Sequence, residues 1–577
     1  MFNRYYQQEL SYLRELAAAF SKAHPSLAPS LSGPSSDPDV ERLLEGVAFS
    51  TGLLRQKLDD ELPEIIHGLT DLVIPHYLRP IPSASVVTFI PKPALNGKIS
   101  VPKGTTVASV PVEGTSCIFQ TAFDIEAWPM HLKNAVISEE SGRLIRIRLD
   151  LSLSGMGLNA WDTDKLRFYL GGEYARAADL YLLLNRYVRS ISISPKQGGE
   201  SVTLGQEYLR PAGFAPYESL IPYPGQSFPI YRILQEYFLL PQKFLFLDLR
   251  GLDKWKNRGS GTEFEICFEL YDPPFFPQQI RPDTFSLFTC PVVNIFRHSA
   301  DPISLDHRRP EYPVRPSGKN DKHFQVYSID NVTGIVQGTV QKKHYVPFEL
   351  FPSQEEGYAA YQVVRKISPV DNRANVYLTL PYTRGAEPTA REILSIELSC
   401  TNGNLTENLQ IGDISRPTSD SPILLDFKNI LTVTPSVQPP LGNDALWRFL
   451  SHLSLNYLPL ADAGNLKELL NLYVFPGSRD KARVAANSKR ISGIEHITVT
   501  PESRLISGYM MRGQEIRMDL RRDHFACSGD MFLFASVLNR FLSGYTSINT
   551  FTRLSVRDII SGEVYQWKPR IGITALL

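Results

Sequence analysis

The sequence predicts an α+β, β-rich multidomain chain, with an N-terminal helical arm, β-sandwich-like middle regions and a mixed α/β C-terminal region. Three observations carry that expectation. Apolar residues recur at helical spacing through the first 80 residues, short β-branched runs take over from residue 84, and both patterns mix near the end. The boundaries drawn from them are 1–83, 84–300, 301–440 and 441–577. At 577 residues the chain is long enough for several cores.

Tyr6, Leu10, Leu13, Ala17 and Phe20 follow one another at spacings of four, three, four and three, a narrow seam of the coiled-coil kind. Pro25 ends that helix, and a Ser- and Pro-rich loop follows. Asp37-Pro38 reads as an N-cap followed by proline at the first helical position. Val40, Leu43, Leu44, Val47, Leu54 and Leu58 then line one face of a second helix. A third, from Pro63 to Ile74, stops at Pro75. Periodicity alone leaves open whether these seams close on each other or on another chain.

From Ser85 the period moves towards two. Ser85–Ile90 is a short β-branched strand, and Asn96-Gly97 is a tight-turn signal. Ile145, Ile147, Leu149, Leu151 and Leu153 share one face of a strand. Leu166–Leu170 is another strand, and Ala175–Leu184 a short helix. The aromatic stretch around Phe214, Tyr237 and Phe246 holds a helix over Arg232–Leu239 and a strand over Lys243–Leu249, too apolar on both faces for anything but core. Further strands are expected at Phe264–Phe268, Phe324–Tyr327 and Val376–Leu380. Gln410–Asn443 reads as a linker plus one strand. Leu446, Leu450, Leu453 and Tyr457 form a helical face, Leu466–Leu472 another, Ile516, Met518 and Leu520 a half-buried strand, and Asp530–Leu542 an apolar helix stopped by Gly544.

Sixty basic residues balance sixty acidic ones, which argues against nucleic acid or an anionic membrane as the main partner. Five scattered cysteines without a CxxC pair fit buried thiols in a reducing compartment. The polar start Met1–Glu9 lacks a signal-peptide core, and no apolar run is long enough to span a bilayer. Catalytic or metal-binding constellations were sought in turn. Glu64-x-x-His67 stands alone where a dinuclear site needs two such pairs. Ser317-Gly318-Lys319 lacks the rest of a phosphate loop. Asp301, Asp306, His307 and Glu311 sit among prolines and Arg308-Arg309, as an exposed loop would. No catalytic residue, cofactor site or metal site is therefore expected.

Several collinear segments carry a resemblance. They include Tyr5–Leu16, Asp39–Gly46, Leu58–Pro63, Pro75–Ser83, Tyr231–Phe238, Pro241–Phe246, Pro291–Phe296, Cys400–Asn402, Trp447–Asn456, Ser547–Phe551 and Trp567–Arg570. Taken together, from residue 2 to about 572, the sequence resembles the TssF family (VasA, ImpG) of type VI secretion baseplate subunits. Lys568 departs from the resemblance, standing where the family often has a second proline. The resemblance implies a structural wedge subunit. Two copies would join one TssG, bind TssK and TssE, surround a VgrG hub, nucleate the tube and sheath, and couple to contraction. It implies a cytoplasmic site at the inner-membrane complex, without insertion into the membrane and without nucleic acid. It also turns the seam of Tyr6, Leu10, Leu13, Ala17 and Phe20 into an expected inter-subunit contact. The alternative is a cytoplasmic β-rich enzyme without a recognisable catalytic motif.

Overall fold

Helices α1 (Phe2–Ala23) and α2 (Pro38–Val73) open the chain as an antiparallel hairpin. The structure is a computed structural model. It describes residues 2–24, 38–140, 144–223, 230–276, 280–306, 308–318, 320–336, 342–348, 359–368, 373–380, 391–441, 462–475, 477–506 and 508–572. Asp37 and the 446–457 helical face lie outside these residues. The sequence separates a second and a third helix at Pro63, but α2 runs through that proline as one helix of 36 residues, about 54 Å long. A proline removes one helical hydrogen bond at a cost of about 3 kcal/mol, and packing beyond it opposes the break. Ile66, Ile74 and Tyr77 form a cluster with Leu472 and Phe475, so the end of α2 is seated on the body of the protein.

The strand Ala84–Pro91 lies in a six-stranded sheet with the order 414–417, 106–112, 115–121, 289–293, 84–91, 425–429. The segment read as a linker plus one strand therefore supplies two strands, and both return to a sheet begun more than 300 residues earlier. Ser419, Ser421 and Pro422 sit between them, whereas Ser415 and Pro417 lie within the first strand. Asn96-Gly97 bends the chain, but the strands that flank it pair elsewhere, 84–91 with 289–293 and Ile99–Val101 with Ile125–Ala127.

Leu144–Leu153 forms over the expected span, with all five alternate apolar residues buried. It pairs with Met130–Glu140 and Glu263–Tyr271 in a five-stranded sheet. Lys165–Leu170 and Phe246–Arg250 pair in a four-stranded one. Helix α3 (Tyr174–Arg186) and helix α4 (Tyr231–Leu239) pack nearby. The expected strand over Lys243–Leu249 starts only at Phe246, because Pro241–Phe244 is a 3-10 turn that aims Lys243 back into the core. Phe214, Tyr237, Phe244 and Phe246 are buried, as an intramolecular core requires, while Tyr217 is exposed.

Residues 296–401 build an eight-stranded sheet with its own core, including Leu305, Val332, Leu378, Leu394 and Leu398. Helices α5 (Ala463–Leu472) and α6 (Lys481–Ser492) precede a last sheet. There Tyr509–Leu520 runs parallel to Thr550–Asp558, joined through helix α7 (Ser528–Ser543). A parallel pair needs such a crossover. Helix α7 is buried nearly all round and shares the main core with the first β sheets. At Gly529 it meets Ala178 so closely that a Cβ would lie 2.0 Å from the Ala178 carbonyl oxygen.

Candidate protein-docking surface

The N-terminal hairpin is held by close backbone approach and by charge. A Cβ on Gly52 would lie 3.2 Å from the Tyr6 amide nitrogen and 3.3 Å from its Cα, so glycine sets the interhelical spacing. Arg14 pairs with Glu41 at 2.8 Å, and Arg55 with Glu9. Both pairs cross from one helix to the other on exposed surface, where such pairs contribute little to stability.

Two apolar stripes run along each helix. On α1, Tyr6, Leu10, Leu13 and Ala17 are half-buried, whereas Tyr12, Leu16 and Phe20, at spacings of four, are 58, 48 and 49 % exposed. On α2, Val40 and Leu44 are half-buried and Ala48 and Gly52 buried, whereas Leu43, Val47 and Leu54 are 70, 48 and 62 % exposed. Of the five residues that the sequence singles out, four thus lie on the stripe towards α2, and Phe20 lies on the outer one. The face read for the second helix likewise divides, with Val40 and Leu44 turned inward and Leu43, Val47 and Leu54 outward. Periodicity detects apolar residues on a helix, but two adjacent stripes about 90–100° apart fall within one broad apolar arc. Tyr12 and Leu16 were missed for that reason, although their spacing of four to Phe20 was there to be read. Large exposed apolar patches are the surfaces on which proteins meet partners, and these side chains are the candidates on this hairpin.

Two of the other candidate groups have structural partners. Asp306 accepts a hydrogen bond from the Tyr312 hydroxyl at 2.8 Å, and Glu311 pairs with Lys366 at 2.7 Å. His307 and Lys319 lie outside the described residues. His67 is buried on α2. Among the described residues, no cluster of three or more His, Cys, Asp or Glu could hold a metal ion, and no helix is long and apolar enough to cross a membrane.

The most perturbed charges sit deep in the core. Lys243 is fully buried and donates to Glu236 at 2.5 Å and to the Gly213 carbonyl at 2.7 Å. Arg232 reaches the same carboxylate at 2.9 Å, and the amides of Leu220 and Ile221 donate to its other oxygen at 2.7 and 3.2 Å. Burial pushes Lys243 down to about 8, against the pull of Glu236. Burial by itself raises the Glu236 carboxyl, but Lys243 and Arg232 outweigh it and hold it below its usual range. Every polar atom of that carboxylate is engaged by the chain, as in a structural ion network.

The comparisons with known proteins agree with the resemblance. A family model described as Type VI secretion system, TssF, matches residues 1–574. The chain is 31 % identical to type VI secretion system component TssF1 of Pseudomonas aeruginosa, over 98 % of each chain. A solved chain of a type VI secretion TssK-TssF-TssG baseplate subcomplex superposes with a TM-score of 0.79 at 28 % identity, covering 93 % of this chain and 99 % of that one. A chain of a type VI secretion baseplate complex gives a TM-score of 0.59 at 27 % identity, with full coverage of both. This chain belongs to the TssF family of the type VI secretion system.

Proposed function

We propose that this chain is a structural wedge subunit of a type VI secretion baseplate, and that its N-terminal hairpin is the element by which it joins its neighbours. The observation that carries the reading is the outer apolar stripe of Tyr12, Leu16, Phe20, Leu43, Val47 and Leu54. It lies on a hairpin whose α2 end is seated on the body, through Ile66 and through Ile74 and Tyr77 just beyond it. The partners are a second copy of this chain and one TssG, in a 2:1 unit that contacts TssK and TssE around a VgrG hub. Such a unit would nucleate tube and sheath and transmit contraction, in the cytoplasm against the inner-membrane complex. The half-buried seam of Tyr6, Leu10, Leu13 and Ala17 completes the contact once a third helix lies in the groove between α1 and α2. The role is mechanical, and no residue is assigned a catalytic step.

The test is co-purification with tagged TssG. Replacing Leu43 and Leu54 with Asp should abolish capture while the thermal transition of the body stays in place. Replacing Leu10 and Leu13 with Asp should also abolish it, and in addition loosen the hairpin. Undiminished capture by both double variants would refute the assignment.

A further inference from the structure

A second feature lies far along the chain from the hairpin. A cavity of about 680 Å³ opens between the end of α3, the segment 206–214, α7 and the segment 566–570. Its charged lining is one-sided, with Arg186, Arg210, Arg540, Lys568 and Arg570 against the single carboxylate of Glu207. Arg186 donates to the Gln566 carbonyl at 2.8 Å, and Arg210 to the Glu207 carbonyl at 3.1 Å. Arg540 and Arg570 differ from these. Neither has a carboxylate within ion-pair distance among the described residues, and Glu218, the acidic group whose field reaches Arg540, is held by Arg167 at 2.6 Å.

Arg540 is exposed and Arg570 half-buried, and two neighbouring guanidinium groups repel each other unless something negative meets them. Burial and the neighbouring Arg540 push Arg570 down to about 10, the direction expected of cations that lack a counter-charge. Both guanidinium groups line this space, and Tyr181, Phe214, Phe532 and Trp567 give its wall an aromatic part, with Phe214 beneath Arg540 at 5.7 Å. The volume falls within the range of small-molecule sites and exceeds what a bare oxyanion fills.

We propose that this cavity binds a small organic anion, with its phosphate or carboxylate group held by the guanidinium forks of Arg540 and Arg570 and its body against the aromatic side chains of the wall. Arginine suits either group, because its fork donates two parallel hydrogen bonds to a planar or tetrahedral oxyanion.

The test uses the purified full chain, titrated with phenyl phosphate in one arm and phenylacetate in another, with sodium chloride at matched ionic strength as reference. The expected result is a saturable rise of the melting temperature, roughly 2 °C or more, in at least one arm. The arm with the larger rise identifies the group. Arg570→Met should lose this response while the anion-free protein melts no lower than wild type, because an unpaired half-buried cation has been removed. Arg570→Lys, which keeps the charge but not the fork, should weaken the apparent affinity several-fold. Absence of a saturable rise in both arms would overturn the proposal, as would an equal rise in Arg570→Met. A lower melting point of the anion-free Arg570→Met protein would show that the arginine serves the fold, and would overturn it too.

Discussion

Replacing Lys243 with Met tests whether the buried ion network holds the aromatic core together. The side chains are similar in length, so the change removes charge and hydrogen bonding more than volume. Lys243 makes two bonds, to Glu236 at 2.5 Å and to the Gly213 carbonyl at 2.7 Å, and both partners are buried. Breaking a buried pair from one side costs about 3–5 kcal/mol. Glu236 keeps Arg232 at 2.9 Å and two backbone amides, which places the charge loss at the low end, about 3 kcal/mol. The orphaned Gly213 carbonyl adds about 1 kcal/mol. A total near 4 kcal/mol should lower the melting temperature of the main core by roughly 5 °C in differential scanning calorimetry, since the entropy of unfolding grows by about 2.1 cal/mol/K per residue. Adding Glu236→Gln to Lys243→Met should deepen the loss, because the buried Arg232 then has no carboxylate to meet. A single variant that melts within 1 °C of wild type would refute the reasoning, as would a double variant that melts above the single one.

The same network has a pH signature. The carboxyl of Glu236 is held below its usual range in the folded chain, so it contributes stability above the unfolded carboxyl value that is lost as pH falls through the folded one. In Lys243→Met burial acts on Glu236 with one cation fewer, and the acid unfolding midpoint should move to higher pH. Arg167, which bridges Glu218 and Asp248 at 2.6 Å each, should cost about 3–5 kcal/mol as Arg167→Ala in urea unfolding. Gly52→Val should splay the hairpin and speed amide exchange in α1, whereas Gly52→Ala should be nearly neutral, since a gain in helix propensity of about 1 kcal/mol offsets the 3.2 Å contact with Tyr6. Burial pushes the Cys117 thiol up to about 11 and those of Cys290 and Cys400 up to about 12, so all three should resist maleimide at pH 7 until denaturant is added.

Elements that are buried on a regular face were legible in the sequence. The strand 144–153 and the helix 528–543 lie where their patterns put them, because side-chain period and burial coincide there. What failed depended on distant partners. Pro63 looks like a helix end, yet the contact of Ile66 and Ile74 with residues 400 positions away keeps the helix running. The strands 414–417 and 425–429 are short and flanked by Pro and Ser, and only their neighbours at 106–112 and 84–91 make them strands. At the hairpin, periodicity found the apolar residues but not the division between inner and outer stripes, which the small residues Ala48 and Gly52 decide. The cavity beside α7 was invisible, since its cations come from four separate segments.

The pairing of 84–91 with 425–429 sets the order in which this protein is made. A ribosome adds roughly 5–20 residues per second, so the first of these strands waits roughly 17–67 s for its neighbour. Throughout that interval the helical hairpin is already complete, with Leu43 and Leu54 outward, while the helix 463–472 that seats its base does not yet exist. Nascent chains in this state present their sticky surface long before the body can fold. Synthesis of the partner close by, or a chaperone that shields the hairpin, is the natural remedy, and ribosome profiling after pull-down of the partner would show binding that begins well before residue 425.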